Sequence, residues 1–353
     1  MTWDDRTAPI DDEWDDFVSR CPGGYHTQTS RWGSVQSRRG WTVVRRAVSE
    51  EGRLLGGFQM LTKAFSGLGR VGYVDRGPMG APEIAAELVD ELTATASRHG
   101  LRLLLAQPPE GAQGAELAMR RLSFGDTHIK TSLAATTTVD LTDGEEAVLA
   151  GMKSKTRYNV RQGLKAGVTV REGGKADVGL FHEMLEATAR RQGFTPNSKS
   201  HLDDMFTTLD DWCRVFLAEF EGVPIAGMLA MTFGDTVVYK RGAWSGAEGA
   251  RRPNEVMHWE AIRWAIRNGF RRYDFDGIEP EAARLALAGE KLTGDVAESV
   301  TRFKLGFGGD VVLLPETLSY LPNRLARFAY DRVYPSVAGF KPVRRLVKRI
   351  RVA

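Results

Sequence analysis

Two short motifs recur in this chain at almost the same spacing. The dipeptide Glu51-Gly52 returns 170 residues later as Glu221-Gly222, and RHGLR at 98–102 returns 169 residues later as RNGFR at 267–271. Glycine at such turns and helix ends supplies a left-handed conformation, so either junction alone is common. Two independent motifs at nearly one offset favour an internal duplication. The chain is therefore predicted to contain one structural unit twice.

The hydrophobic pattern around the motifs predicts what that unit is. A helix, a meander of three strands, a second helix and a further strand follow one another in each half. The segments are a helix at 10–17, TVVRRAV, LLGGFQML, RVGYVD, EIAAELVDELTATASRHG and LRLLLAQ, then DVGLFHEMLEATARRQ, CRVFLAEF, PIAGMLAMTF, TVVYKRG, NEVMHWEAIRWAIRNG and FRRYDFDG. This order resembles the GNAT acyltransferase fold. We predict an α+β protein with two tandem GNAT-like domains of mixed sheets flanked by helices, at 1–150 (completed by 318–353) and 151–317.

Composition narrows the class of protein. A chain of 353 residues, 42% hydrophobic and 26% charged, is typical of a soluble protein with two domains. No apolar run approaches the roughly 20 residues of a membrane-spanning helix, and the acidic N-terminus lacks a secretory signal pattern. Two distant cysteines indicate neither a disulfide framework nor a zinc site. A cytoplasmic protein without a transmembrane segment or a metal site is expected.

The two ends of the chain differ in charge. Residues 1–18 hold seven Asp/Glu against one Arg, whereas residues 324–353 hold nine Lys/Arg against one Asp. A basic tail such as VRRLVKRIRVA attracts the phosphate of RNA, nucleotides or lipid head groups, or it is simply solvated. Peripheral contact of this tail with a membrane surface is one of the expected interactions.

A second basic stretch, KSKTRYNVRQGLKAGV at 153–168, lies near the predicted domain junction. On a helix Lys153, Arg157 and Arg161 fall at i, i+4 and i+8 and form one ridge of like charge. Repelling charges at this spacing are easier to explain if phosphate lies across them. We predict a phosphate-facing ridge for tRNA or substrate; the alternative is a solvated helix face.

The sequence lacks the phosphate-binding loops of two common kinds of transferase, those that use acetyl-CoA and those that use ATP, at the positions where these loops are expected. Acetyl-CoA-dependent GNAT proteins carry Q/R-x-x-G-x-G/A after the meander, and the single match, at 171–176, precedes the second meander. The correct position holds GAWSGAEGARRPNEVMHW, and the chain has no GxxxxGK[ST] loop for ATP. The misplaced match weakens the case for an acyl-CoA-dependent activity without excluding that activity.

Six stretches together resemble the FemABX family, aminoacyltransferases that move an amino acid from aminoacyl-tRNA onto a peptidoglycan precursor peptide. They occur in the family's order across nearly the whole chain: QTSRW at 28–32, RGP at 76–78, KTRYN at 155–159 with Gly167-Val168, 253–260, YDFDG at 273–277 and FKLGFG at 303–308. The resemblance implies a pair of GNAT-like domains and aminoacyl-tRNA as co-substrate, with no other cofactor.

The chain departs from the family pattern at two points. The second domain has no room for the long helical arm of many members, so the resemblance is to armless, FemX-like members, which include enzymes that build peptide natural products. Gln36 replaces the phosphate-binding lysine of such members, with Arg38 and Arg39 close by.

The chemistry of ester aminolysis defines what the site must supply. The ester is already activated, so the reaction needs a neutral amine and stabilisation of a tetrahedral oxyanion. At an ordinary lysine pKa roughly one amine in two thousand is neutral at pH 7, so a base or a desolvating pocket must help. The resemblance assigns Lys304 as the cation near the ester carbonyl and Phe303 as its packing partner; otherwise Phe303 is core and Lys304 a surface charge.

The remaining candidates follow from position. Asp274 and Asp276 share a strand face, and Asp276 is the candidate base, although Asp276-Gly277 also suits a turn. Arg251 and Arg252 precede a Pro253-led helix whose N-terminus suits a diphosphate, or they are solvated. The predicted substrate-binding residues are Arg38, Arg76, Tyr239, Arg251, Arg252 and Tyr273.

The predicted function is transfer of an amino acid from aminoacyl-tRNA to an amine of a peptide-bearing acceptor, such as a nucleotide- or lipid-linked muramyl peptide. Three alternatives stay open. They are the same chemistry on a peptide natural product, acyl-CoA-dependent N-acyl transfer, and a non-catalytic RNA-binding or envelope-assembly role.

Overall fold

A computed structural model describes residues 1–129, 132–294 and 299–337. The chain divides into two compact units, one formed by 1–132 with 314–353 and the other by 133–313. The basic segment VRRLVKRIRVA lies outside the described residues.

The first unit is built on a mixed sheet whose strands run in the order β1-β2-β3-β4-β6-β15-β7, with β5 paired to β3. Only β4 and β6 pair in parallel there; the other pairs are antiparallel. The strands are β1 Thr2–Asp5, β2 Thr42–Glu50, β3 Arg53–Phe65, β4 Gly69–Val74, β5 Met79–Gly80, β6 Leu101–Ala106, β7 Gly125–Asp126 and β15 Leu318–Tyr320. Its helices are α1 Asp12–Arg20, α2 Ser30–Arg38, α3 Ala85–Arg98, α4 Gln113–Arg121 and α12 Arg324–Val337.

The second unit repeats this plan with the order β14-β8-β13-β12-β11-β10-β9. The parallel pair is now β12 and β13. The strands are β8 Ala135–Asp140, β9 Val168–Gly173, β10 Cys213–Phe220, β11 Val223–Phe233, β12 Thr236–Trp244, β13 Arg272–Gly277 and β14 Asp310–Leu313. Its helices are α5 Gly144–Gly151, α6 Ser154–Lys165, α7 Val178–Gln192, α8 Lys199–Leu209, α9 Pro253–Arg267, α10 Pro280–Leu287 and α11 Val300–Lys304.

The repeated motifs occupy equivalent places in the two units. Glu51-Gly52 turns β2 into β3 with φ of 49° and 78°, and Glu221-Gly222 turns β10 into β11 with φ of 51° and 77°. Positive φ at both central residues is the signature of the two-residue hairpin turn that matches strand twist. Gly100 and Gly269 end α3 and α9 with φ of 63° and 79°. The predicted fold class and the repeated order of elements are confirmed.

The division of the chain differs from the predicted one near residue 150. β8 pairs with β13 and β14, so it belongs to the second sheet, and the second unit begins at residue 133. The last strand, β15, returns to the first sheet and pairs with both β6 and β7. A strand belongs to the sheet that satisfies its backbone hydrogen bonds, and spacing along the chain does not reveal that partner.

No long arm interrupts the second unit within the described residues, where the longest helices, α7 and α9, have 15 residues each. The core of this unit lies where α9 crosses its sheet, with Trp259, Ile262, Tyr273 and Phe275 among the buried side chains. Helix α9 therefore backs the strands that carry the candidate site.

Candidate active site

The parallel strands β12 and β13 separate halfway along their length. They pair only at Thr236–Val238 against Arg272–Asp274. Beyond this point a gap opens at the carboxyl ends of the two strands. Ligands of α/β sheets bind at the carboxyl ends of parallel strands, because side chains from both strands converge there.

A bulge in each strand lies directly beyond the last paired residues. On β12, Tyr239 and Arg241 face consecutive residues of β11, which leaves Lys240 as the extra residue. On β13, two residues, Phe275 and Asp276, face one residue of β8, and Asp276 has a φ of 58°. Bulges redirect a side chain away from the regular alternation. Here they turn Lys240 and Asp276 towards each other.

The two bulged residues form an ion pair that is largely buried. Lys240 Nζ lies 3.1 Å from Asp276 Oδ2, and Asp276 is 7% exposed. Burial alone raises the pKa of Asp276, but the charges of Lys240 and Lys304 hold that pKa below its ordinary value. Asp276 is therefore a carboxylate at neutral pH.

Asp274 stabilises the bulge in β13 through hydrogen bonds of its side chain. Its Oδ1 accepts the backbone N–H of Asp276 at 2.8 Å and the hydroxyl of Thr136. The same hydroxyl contacts the Asp276 carbonyl at 2.9 Å. The two aspartates thus have different tasks, since Asp274 shapes the backbone and Asp276 presents its carboxylate.

Lys304 enters the gap from the end of α11. Its Nζ donates to the Gly277 carbonyl at 2.6 Å, lies 5.4 Å from the centre of the Tyr239 ring, and the residue is 8% exposed. Burial lowers the pKa of Lys304 to about 8, although Asp276 and Asp274 oppose this shift. At pH 7 about nine-tenths of such a group still carries its positive charge.

Two glycines after Lys304 determine how it is held. A Cβ on Gly306 would lie 2.4 Å from Thr156 Oγ1, and one on Gly308 would lie 2.6 Å from the Gly151 carbonyl. The Gly306 carbonyl also accepts the Lys153 N–H at 2.9 Å. The glycines of FKLGFGG therefore let this turn pack directly on the loop before α6 and on its first turn.

An aromatic cluster lies beneath Lys304, with His258 of α9 at its centre. The His258 ring lies 4.6 Å from Tyr239, 5.0 Å from Phe275, 5.4 Å from Phe303 and 5.3 Å from Phe307. Burial and the charge of Lys304 lower the pKa of His258 to about 3, so the imidazole is neutral. Sequence reasoning gave this histidine no role.

The structure brings together three predicted residues, Lys304, Asp276 and Tyr239, with Phe303 against the same cluster. Tyr273 was predicted to bind substrate, but the structure places it in the core. It is fully buried, and its hydroxyl contacts His258 Nδ1 at 2.8 Å and Met228 Sδ at 3.2 Å. An alternating strand points Tyr273 to the opposite face from Asp274, so it supports the site from the core instead of lining it.

Lys240 was missed by sequence reasoning, although a signal for it existed. It lies near the end of the predicted strand TVVYKRG, as Asp276 does in FRRYDFDG, and these strands were predicted to flank one crossover helix. Parallel strands joined in this way place their carboxyl ends at one edge of a sheet. That YKR and DFDG end these two strands could have indicated a shared site.

Arg251 and Arg252 do lie at the N-terminus of α9, but Arg251 has other partners. Its guanidinium packs 3.6 Å from the Phe220 ring centre, pairs with Glu248 at 2.8 Å and donates to the Ala166 carbonyl at 3.0 Å. It thereby joins the end of α6 to the loop before α9. Arg252 is exposed with a φ of 59°.

The three residues of the predicted basic ridge on α6 do not share one environment. Lys153 precedes the first helical residue, and Arg161 is exposed. Arg157 instead donates to the carbonyls of Leu149, Ala150 and Met152 at 3.3, 2.8 and 3.0 Å. Its charge thus caps the end of α5.

Two predicted residues belong to the first unit. Arg38 is exposed at the end of α2, whereas Arg76 is buried with its guanidinium 3.6 Å above the Tyr25 ring centre. The nearby Gln28 has a structural task, because its side chain bonds the Gln59 backbone and the Asp75 carbonyl. The QTSRW stretch therefore ties α2 to the sheet.

The part of the chain that the structure describes contains neither a metal-binding cluster nor a membrane-spanning helix. No group of three or more His, Cys, Asp or Glu side chains there could hold a metal ion. No helix there is long and apolar enough to cross a membrane.

Comparison with known proteins places this geometry in a family context. Residues 152–283 match the family described as acetyltransferase (GNAT) domain. A crystal structure of FemX superimposes with a TM-score of 0.79 and 18% identity, covering 96% of this chain and 100% of that one. The resemblance to the FemABX family is confirmed. This FemABX-like chain also shares its fold with L-PGS from Bacillus licheniformis, with a TM-score of 0.56, 13% identity and coverage of 90% and 93%.

A relative of known activity matches part of this FemABX-like chain. The lipid II:glycine glycyltransferase of Staphylococcus epidermidis is 26% identical over an alignment of 229 residues, which covers 60% of this chain and 55% of that protein. The chain spans about half the length of the curated relatives it matches.

Proposed function

We propose that the chain transfers an amino acid from aminoacyl-tRNA to an amine of a peptide-bearing acceptor, forming an amide. The observation that carries this proposal is the group of buried Lys304 and Asp276 with the largely buried Lys240 at the separated ends of β12 and β13. The acceptor we propose is a lipid-linked muramyl peptide, in view of the similarity to lipid II:glycine glycyltransferases.

Lys304 would stabilise the oxyanion. As the acceptor nitrogen bonds to the ester carbon, negative charge develops on the carbonyl oxygen, and a cation in a poorly solvated site stabilises that charge strongly. Lys304 is buried and still positively charged at pH 7, and it is positioned by the Gly277 carbonyl. Lys240 and Arg241 add positive charge on the neighbouring strand.

Asp276 would hold and orient the acceptor amine. A carboxylate with a lowered pKa is a weak base, so orientation suits it better than full proton abstraction. The amine loses one proton as the amide forms, and the leaving ribose oxygen of the terminal adenosine gains one. Transfer between these two groups balances the reaction without any added oxidant or nucleotide.

Acyl-CoA-dependent transfer is the less favoured alternative. In that reaction a diphosphate would occupy the N-terminus of α9. Here α6 covers that end, since a Cβ on Gly163 would lie 2.6 Å from the Arg251 carbonyl. Asn159 of α6 also donates to Glu255, in the first turn of α9, at 2.9 Å. The first turn of α9 thus carries a carboxylate, whose negative charge disfavours a diphosphate at that end.

Transfer of radiolabelled amino acids from charged tRNA to candidate acceptors tests the proposal. The acceptors are a soluble muramyl pentapeptide, a lipid-linked form and an unrelated peptide with a free amine. Product is expected with intact aminoacyl-tRNA and is lost when ribonuclease is added before the enzyme. Product that survives ribonuclease, or that requires acyl-CoA, would refute the proposal.

A further inference from the structure

Helix α12 is attached to the first unit along one side. Arg327 donates to the Ser319 carbonyl at 2.9 Å. The Tyr330 hydroxyl contacts Thr127 Oγ1 at 2.8 Å and accepts the His128 N–H at 3.1 Å. Residues three apart are neighbours on a helix, so Arg327 and Tyr330 define its attached side.

The opposite side of α12 carries exposed apolar residues. Leu325, Phe328 and Arg332 follow at i, i+3 and i+7, a spacing that places them on one face. Leu325 is 80% exposed and Phe328 64% exposed. The Arg332 guanidinium lies 5.7 Å from the Phe328 ring centre. We call Leu325, Phe328 and Arg332 the outer face of α12.

The part of the sequence that includes the outer face is strongly basic. Asp331 is the single acidic residue between 324 and 353, and Arg327 pairs with it at 2.8 Å. The same segment contains nine Lys/Arg, six of them after residue 337 in the sequence. An apolar helix face within a strongly basic segment is the composition of helices that lie in the interface of anionic membranes.

We propose that the outer face of α12 binds the surface of a bilayer containing anionic lipid. Leu325 and Phe328 would enter the boundary between head groups and acyl chains, and Arg332 would contact lipid phosphate. RNA would satisfy the basic residues equally well, but its backbone offers no apolar phase for two large exposed side chains. This inference involves no transfer step and is tested separately from the proposed function.

Co-sedimentation of the full chain with vesicles is the test. One vesicle set contains phosphatidylcholine alone, and the other contains an added third of phosphatidylglycerol. Binding to the anionic vesicles is expected, and it should weaken as salt rises because lipid and protein charges are screened. The double variant Leu325→Ser with Phe328→Ser should lower partitioning by about tenfold or more, since the apolar contribution is lost.

Leu117→Ser is the matched control, because Leu117 of α4 is 58% exposed. It should leave vesicle binding unchanged, and the melting temperature of each variant shows that it is folded. Equal binding of the double variant and the control would overturn the proposal, as would equal binding to neutral and anionic vesicles. Loss of tRNA binding in the double variant, with vesicle binding intact, would identify the face as an RNA surface and overturn it too.

Discussion

At the scale of single residues, burial changes what Lys304 can do. In water its amine would be charged far above neutral pH, but desolvation brings its pKa to about 8. The groups that face it are Asp274 and Asp276 of β13, Lys240 and Arg241 of β12, and His258 of α9. Its charge is thus present at neutral pH and is lost just above it.

Lys304→Met should lower kcat/KM for amino acid transfer by about 10²- to 10³-fold, since one oxyanion contact is removed. Lys304→Arg keeps the charge at all accessible pH values. Wild-type activity that depends on a protonated Lys304 falls as pH rises through about 8. The wild-type to Lys304→Arg ratio of kcat/KM cancels the titration of the acceptor amine. A ratio that stays flat between pH 7 and 9.5 would contradict the assignment.

Lys240→Met should change the acid side of the pH profile. Lys240 helps to lower the pKa of Asp276, so its removal leaves burial less opposed and moves that pKa upward. As the pH is lowered, activity that requires the Asp276 carboxylate would then be lost at a higher pH than in the wild type. Stability at neutral pH would also fall, because the buried Asp276 charge loses a partner.

Lys240→Arg is the control, because it retains the charge next to Asp276. The pH dependence of kcat/KM is compared for the three proteins at constant ionic strength. If Lys240→Met still transfers the amino acid and the acid sides of the three pH profiles coincide, Lys240 does not control the pKa of Asp276.

At the scale of elements, α6 shows how one sequence stretch divides its tasks. Arg157 caps α5, whereas Arg161 is exposed on the same helix. Arg161→Glu should therefore weaken tRNA binding with little effect on the melting temperature, and more strongly at low salt. Arg157→Glu should also lower the melting temperature, because three carbonyls lose their donor and a negative charge approaches them.

Filter binding of tRNA at two salt concentrations, combined with thermal unfolding, separates these effects. Unchanged affinity in Arg161→Glu would show that α6 presents a solvated face. Equal melting temperatures for the two variants would contradict the capping role of Arg157.

Elements also show why particular short motifs were informative. Glu-Gly at both hairpins marks a turn with two positive φ angles, which a local sequence signal can encode. The short helices α2, α4 and α8 were not predicted. Their apolar faces are brief, and packing against the rest of the unit decides whether such segments become helical.

At the scale of the whole molecule, the first unit needs a strand from the end of the chain. β15 lies between β6 and β7, with Leu318 and Ser319 fully buried. A chain ending at residue 313 would expose the edge of β6 and lose the first unit, while the second unit keeps all seven of its described strands. Limited proteolysis with mass spectrometry should show a resistant core near 133–313.

A chain ending at residue 337 is the control for this truncation, since it retains β15 and α12. It should show protection of both units. Protection of residues 1–129 in the shorter chain would contradict the structural role of β15.

The sequence by itself determined the repeated unit, the fold class and the family resemblance. These depend on local periodicity, on glycines at positive φ and on motifs read in order along the chain. It also indicated Lys304 through that resemblance and Asp276 through its position on the YDFDG strand. Only the tertiary structure decided that Lys240 reaches Asp276, that Tyr273 and His258 lie beneath them, and that Arg157 and Arg251 are occupied by backbone carbonyls. Bulges, burial and carbonyl partners arise from residues far apart in the chain, and side-chain charge and pKa depend on those neighbours.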